Sequence, residues 1–249
     1  MTEIPDDHPR AQSLRTRHRI EEGVEKGITS KQGLIAQGRG EAYDYLLGEQ
    51  TTPSAERAER AAAAQLLLAD HPVLSVNGNV AALVPAEMVE LAEAVDADIE
   101  VNLFNRTEER MAAIADHLRE HGATDVKGLA ADARIPGLEH ERAKVDEDGI
   151  YDADVVVVPL EDGDRAEALA EMGKTEIVVD LNPMSRSAQT AAIPIVDNIV
   201  RAVPNVTRHA RELREQDSSR EELEAIVAAF DREAALEEAE RAIRQGELD

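Results

Sequence analysis

Two runs of β-branched residues, VVVV at 155–158 and IVV at 177–179, set the tightest limit on what this chain can fold into. Apolar runs without polar alternation are strands buried on both faces. Each sits in a regular alternation with helical stretches. VLSV (73–76) precedes a helical pattern from Pro85 to Val95. IEVNLF (99–104) precedes one from Thr107 to His121, and DVVVVPL (154–160) one from Asp164 to Met172. EIVVDL (176–181) and IPIVD (193–197) follow. Alternating β and α elements predict an α/β fold, a parallel sheet with helices on both faces. Ligands of such sheets bind beyond the carboxyl ends of the strands.

The flanks read as helical. A helix is expected from His8 to Gly23, a glycine-punctuated stretch from Gly27 to Gly40, and a short helix from Glu41 to Leu47. Pro53 suits the first turn of a strong helix, SAERAERAAAAQLLLAD. Residues 122–150 are loop-rich. Beyond Thr207 the chain is charged and helical, and Leu223, Ile226, Val227 and Phe230 form a stripe that packs against the body or a second subunit. Residues 1–70 are thus a helical segment of the same domain, 71–207 the core and 208–249 a helical tail.

Charge narrows the function classes. The net charge is −25, from 52 acids and 27 bases. Such self-repulsion is tolerable under strong screening, which predicts a halophilic protein of a salt-rich cytoplasm. Nucleic acid is excluded as a partner, because phosphate neutralisation needs a basic surface. No apolar run suits a membrane span or a signal peptide. The absence of cysteine removes disulfides, thiolate metal sites and Cys nucleophiles. Two islands depart from the acidic average. Residues 8–39 hold seven bases against three acids, and residues 182–207 hold Arg186 and Arg201 against Asp197. They point to a local anionic ligand, or to arginines paired with neighbouring acids.

Four strand ends carry polar clusters. Asn77-Gly78-Asn79 either presents backbone N–H groups to a phosphate or is an Asn-capped strand–helix turn. Arg106, directly after the second strand, either holds a phosphate or is solvated beside a helix cap. Glu161, Asp162 and Asp164 either receive Mg²⁺ or a substrate amine, or stabilise a helix start. Asp180, Asn182, Arg186 and Ser187 either suit ribose, base and phosphate, since an idle charge at the end of a buried strand is costly, or form a capped turn with Ser185 or Ser187 as cap and Pro183 as breaker. His117 and His121 lack the intervening carboxylate of a metalloprotease helix and read as a solvated face. Nucleophile elbows and Walker loops are absent, so positioning of phosphate-bearing reactants is the chemistry expected.

Several ordered stretches together resemble one family. They include HPRAQSLRTRHRIEEGVEKGI, GLIAQGRGEAYDYLLGE, VLSVNGNVAALVP, VNLFNRTEER, ADVVVVPLEDGDRAEAL, VVDLNPMSRSAQTA and IPIVDNIVRAVPN. The family is the archaeal phosphopantothenate synthetases, or 4-phosphopantoate–β-alanine ligases, and the likeness spans nearly all of 8–207. It implies a homodimer with a Rossmann-like core and a step of coenzyme A biosynthesis. ATP, 4-phosphopantoate and β-alanine would give 4′-phosphopantothenate, AMP and diphosphate through an acyl adenylate, with Mg²⁺ as companion of ATP. It implies that ATP is held by Arg17, Arg39, Asp180, Leu181, Asn182, Arg186, Ser187, Asn198 and Ile199. Asn77, Gly78, Asn79 and Arg106 are then candidates for the substrate's phosphate, and Glu161 and Asp162 for metal or amine. No residue is assigned as the catalytic base or as a metal ligand. Two rivals are a non-catalytic nucleotide-binding protein and an NADP-dependent dehydrogenase. The second takes Asn105-Arg106-Thr107 as a 2′-phosphate clamp about 27 residues after Gly78.

Overall fold

The computed structural model describes residues 4–5, 8, 10–159 and 163–245. Three helices come first: α1 (Ala11–Glu25), α2 (Lys31–Leu46) and α3 (Pro53–Leu68). Strand β1 (Pro72–Val76) leads through α4 (Gly78–Leu83) and α5 (Pro85–Val95) to β2 (Asp98–Val101) and α6 (Glu108–Glu120). A small antiparallel ribbon, β3 (Ala133–Arg134) and β4 (Lys144–Val145), precedes β5 (Val155–Pro159). Then come α7 (Gly163–Glu171), β6 (Thr175–Val179), α8 (Arg186–Thr190) and β7 (Ile193–Ile195). Helices α9 (Ile199–Glu215), α10 (Arg220–Ala229) and α11 (Arg232–Gln245) end the described chain.

The five long strands form one sheet in the order β2-β1-β5-β6-β7, and every pairing is parallel. From β1 the chain steps outward to β2, then crosses back to β5 and continues the other way. The order therefore reverses between β1 and β5, which is where such sheets open a crevice. At that point Asn77 Nδ2 donates to the Pro159 carbonyl at 3.0 Å.

Both faces are covered, as the β-branched runs predict. Leu74, Val76, Val157, Ile177 and Ile195 face a core shared with α3, α5 and α9. Val73, Val156, Val158 and Val178 face a second core with Leu169 of α7 and Ile135 and Ile150 of the 133–153 segment. Each buried side chain of this kind contributes roughly 1.5–3 kcal/mol. The α3 helix starts as expected at Pro53, capped by Thr52, whose side chain accepts from the Ala55 N–H at 3.2 Å. Its alanines at 61–64 are buried and let helices close on it. The predicted 223–230 stripe packs on the body: Leu223 is buried, and Ile226, Val227 and Phe230 lie against the first core.

Three expectations need correction. Residues 31–46 form one helix, where a glycine-broken stretch was predicted. Three glycines there cost helix propensity, but Gly33 is required by close approach: a Cβ would lie 2.3 Å from Asn79 Oδ1. The tail begins earlier than position 208 as a helix, since α9 starts at Ile199 and runs through it to Glu215. The pair His117 and His121 is not a wholly solvated face. Their rings meet edge-to-face at 4.5 Å, and the His117 side chain is only 13% exposed.

A buried charged group ties α7 to the second face. Arg165 is fully buried, its Nη1 and Nη2 each 3.2 Å from Ser75 Oγ on β1. Glu100 of β2 and Glu176 of β6 are buried as well, and their fields act on it. Glu100 accepts from the Ile150 N–H at 2.6 Å and the Asp146 N–H at 3.2 Å. Burial pushes Glu176 up to about 8 and Glu100 up to about 7. Both carboxyls hold protons more tightly folded than unfolded. Their contribution to stability is complete below the ordinary carboxylate range and is lost as pH rises through about 7 to 8. Glu176→Gln should therefore flatten the decline in unfolding free energy between about pH 5 and 8, followed by urea titration in molar KCl. Arg165→Met should cost about 3–5 kcal/mol above about pH 8, where it strands buried carboxylates, and less near pH 6, where they take up protons.

Candidate active site over the carboxyl edge of the sheet

Helix α2 runs along the carboxyl edge of the sheet and is pinned at both ends. At its start Asn79 Nδ2 donates to the Gly33 carbonyl at 3.0 Å. Near its end the buried Asp44 accepts from Arg201 Nη2 at 2.5 Å and from Asn198 Nδ2 at 2.7 Å. Arg201 also bonds the buried Asp197, through Nη2 at 2.5 Å and Nε at 2.9 Å. Between these anchors α2 walls two cavities, of about 190 and 80 Å³.

The first cavity lies over β1 and β2. It is lined by Asn77, Gly78 and Asn79, by Leu103, Phe104 and Asn105, and by Arg110 and Arg142. Asn77 is the N-cap of α4, and its Oδ1 accepts from the N–H groups of Asn79 at 3.0 Å and Val80 at 3.1 Å. Those backbone donors are thus engaged, so the turn offers a phosphate fewer free N–H groups than its sequence allows. Gly78 has no room for a side chain: a Cβ would sit 2.5 Å from the Ile28 carbonyl oxygen and 3.0 Å from Arg110 Nη2. The guanidinium brought here is that of Arg110, not Arg106. Arg106 turns away, its Nη2 donating to the Gly128 carbonyl at 2.7 Å. Arg106 precedes the capping Thr107 and lies outside α6, whereas Arg110 lies in its first turn. Arg110 bonds the carbonyls of Asn105 at 2.6 Å and Ile28 at 3.0 Å, and its buried Nε has no partner among the described residues.

The second cavity lies over β6 and β7. It is lined by Arg39, Gly40 and Tyr43 of α2, by Leu83, by Asp180, Leu181 and Asn182, and by Asn198 and Ile199. The Asp180 carboxylate is built into its turn. It accepts from the Asn182 N–H at 2.9 Å and the Ser185 hydroxyl at 2.6 Å. Burial raises its pKa, opposed by those bonds and by the field of Arg39. Ser185, rather than Ser187, caps α8, accepting from the Ala188 N–H at 3.1 Å. Ser187 is buried beneath. Asn198 caps α9 while its amide holds Asp44. Leu181 packs with Leu47, Val196, and Leu236 and Ala239 of α11, so the C-terminal helix buttresses this turn.

Besides Arg201, three arginines of the basic islands are paired with carboxylates. Arg17 and Arg10 bond Glu41, at 2.5 and 2.7 Å. Arg17 holds the Glu41 carboxyl below its ordinary range. Arg186 pairs with Asp164 and, at 3.6 Å, with Glu167, which joins the third and fourth polar clusters. Glu161 and Asp162 lie outside the described residues. Arg39 differs: among the described residues it makes no hydrogen bond or ion pair, and it faces the second cavity. Sequence reasoning missed Arg110, Arg142 and the Asp44–Arg201 anchor. The only sequence signal for Arg110 was its place in the first turn after the Thr107 cap.

Relatives give the chemistry a frame. A family model described as phosphopantothenate/pantothenate synthetase matches residues 54–246. A protein of Thermococcus kodakarensis named 4-phosphopantoate–β-alanine ligase is 61% identical over 232 residues, 93% of this chain and 88% of that one. Proteins of the same name from Methanosarcina mazei and Methanospirillum hungatei are 54% and 52% identical, over 96% and 86% of this chain and 93% and 87% of theirs. The Methanosarcina mazei alignment, at 239 residues, takes in most of the N-terminal helices that the family model leaves out. The chain belongs to the phosphopantothenate/pantothenate synthetase family.

Proposed function

We infer that this protein is an ATP-dependent ligase that joins 4-phosphopantoate to β-alanine, giving 4′-phosphopantothenate, AMP and diphosphate in coenzyme A biosynthesis. The observation that carries the site assignment is the pair of cavities flanking α2. One holds a carboxylate turn and Arg39, which is unengaged among the described residues, and the other holds Arg110 and Arg142. The second cavity takes ATP. Asp180, Leu181, Asn182, Asn198 and Ile199 shape the adenosine end, and Arg39 meets the phosphates. Arg17 and Arg186 reach the polyphosphate by exchanging Glu41 and Asp164 for it, and Ser187 supports the turn. The first cavity takes 4-phosphopantoate. Its phosphate meets Arg110 and Arg142 beside Asn77, Gly78 and Asn79, in the role sequence reasoning gave to Arg106.

A carboxylate oxygen of 4-phosphopantoate attacks the α-phosphorus. The bond from that phosphorus to the bridging oxygen breaks, and diphosphate leaves with the electron pair. The β-alanine nitrogen then attacks the acyl carbon, AMP departs, and the amine proton is released. Arginine near the phosphates stabilises the charge that builds on the leaving group. Mg²⁺ bound with the nucleotide would offset phosphate charge. Both Asp180 oxygens are engaged and Asp164 is paired, which favours a metal held by phosphate oxygens and water. We place the enzyme in the cytoplasm as a homodimer. The exposed Leu34, Ile35, Tyr45 and Leu46 on α2 support a subunit contact there.

AMP formation in molar KCl, with each reactant omitted in turn, tests the reaction. AMP appearing without 4-phosphopantoate would remove the reading. Losing a charge-assisted hydrogen bond costs roughly 1.5–3 kcal/mol, about 10–100-fold in affinity. Arg39→Ala should therefore raise KM for ATP by about that factor and leave KM for 4-phosphopantoate unchanged. Arg110→Ala should do the reverse, and Arg106→Ala should move neither KM by more than about threefold.

A further inference from the structure

The two cavities share one lining side chain. Among the described residues, Ala36 alone lines both. It shares a face of α2 with Gly33, Gly40 and Tyr43, at helical spacings of three, four and seven. Gly33 is small because it packs on Asn79, whereas Ala36 is exposed and lines both cavities. Arg39, one turn later, borders the same junction. The cations of the first cavity, Arg110 and Arg142, come from α6 and the segment before β4. An anion held by Arg110 and Arg142 and a nucleotide seated against Asp180 therefore face each other across Ala36.

We propose that the cleft beside Ala36 is where the carboxylate of the phosphorylated acid meets the α-phosphate of the nucleotide, and that Ala36 is a positioning residue that keeps this passage open. The inference rests on the ligase reading above. It accounts for the placement of Arg39, which stands beside the atom from which diphosphate departs. The reacting atoms must approach to about 3–3.5 Å, and a misplacement of about 1 Å costs on the order of 100-fold. Side-chain bulk at position 36 separates the reactants without touching the groups that bind either one.

The test compares Ala36→Ser, Ala36→Val and Ala36→Leu with the parent chain in molar KCl. Leucine is nearly as good a helix former as alanine, so thermal unfolding should be preserved. ATP and 4-phosphopantoate binding, each measured alone by calorimetry, should stay within about threefold of the parent for Ala36→Leu. Diphosphate–ATP exchange dependent on 4-phosphopantoate should fall about 100-fold, with Ala36→Val between and Ala36→Ser near the parent. Parental exchange in Ala36→Leu overturns the proposal. So does a loss of binding to either reactant large enough to explain the lost exchange, which makes Ala36 a plain pocket wall. If Ala36→Leu does not fold, Ala36→Val against Ala36→Ser decides by the same two criteria. A parent chain with no such exchange removes the ligase reading and this proposal with it. An active parent with an unaffected Ala36→Leu removes the proposal alone.

Discussion

Burial of the central strands on both faces is the constraint from which the rest follows. Strands β1, β5 and β6 are covered by α3, α5 and α9 on one side and by α7 with the 133–153 segment on the other. Neither face is left for a ligand. Backbone and side-chain polar groups can collect only where strands end, and the order reversal between β1 and β5 opens the carboxyl edge there. Asn77, Asp180 and Asn198 all stand at that edge, each spending its side chain on the turn that holds it. They are rigid before any reactant arrives, as precise positioning requires.

Helix α2 turns that edge into two compartments. It is weakly covered along its length, and only Asp44 among its residues is buried. Its attachment is correspondingly local: an amide to a carbonyl at one end, Glu41 bonded by Arg10 and Arg17, and a buried Arg201–Asp44–Asp197 cluster at the other end. Removing one partner of such a cluster leaves an uncompensated buried charge, so the cluster fixes where α2 lies more than it adds net stability. In a chain of net charge −25 this economy of cations matters. Arg10, Arg17, Arg186 and Arg201 of the basic islands already hold carboxylates, while Arg39, among the described residues, makes no hydrogen bond or ion pair.

The core strands and the helices between them were legible in the sequence, because β-branched runs and 3.6-residue periodicity report burial directly. The polar strand ends were legible for the same reason: a charge such as Asp180 after IVV has to be accounted for. Helix α2 was not legible. Glycine signals a break locally, and only the approach of Asn79 shows why Gly33 sits inside a helix. The choice of guanidinium was hidden too. Arg106 and Arg110 are four residues apart, and which of them reaches the first cavity depends on the Gly128 carbonyl, which lies far along the chain. The buried Arg165, Glu100 and Glu176 come from three separate elements, and no local pattern pairs them.

By itself the sequence determined the layer architecture, the edge at which chemistry is gathered and, through its ordered motifs, the family. Those depend on burial and composition, which each segment carries within itself. Tertiary structure decided that α2 splits the edge into two cavities, that Arg110 rather than Arg106 lines one of them, and that Arg39, lining the other, has no hydrogen bond or ion pair among the described residues. Those outcomes depend on which donor finds which acceptor across the fold, and hydrogen-bond partners distant in the chain leave no mark on local spacing.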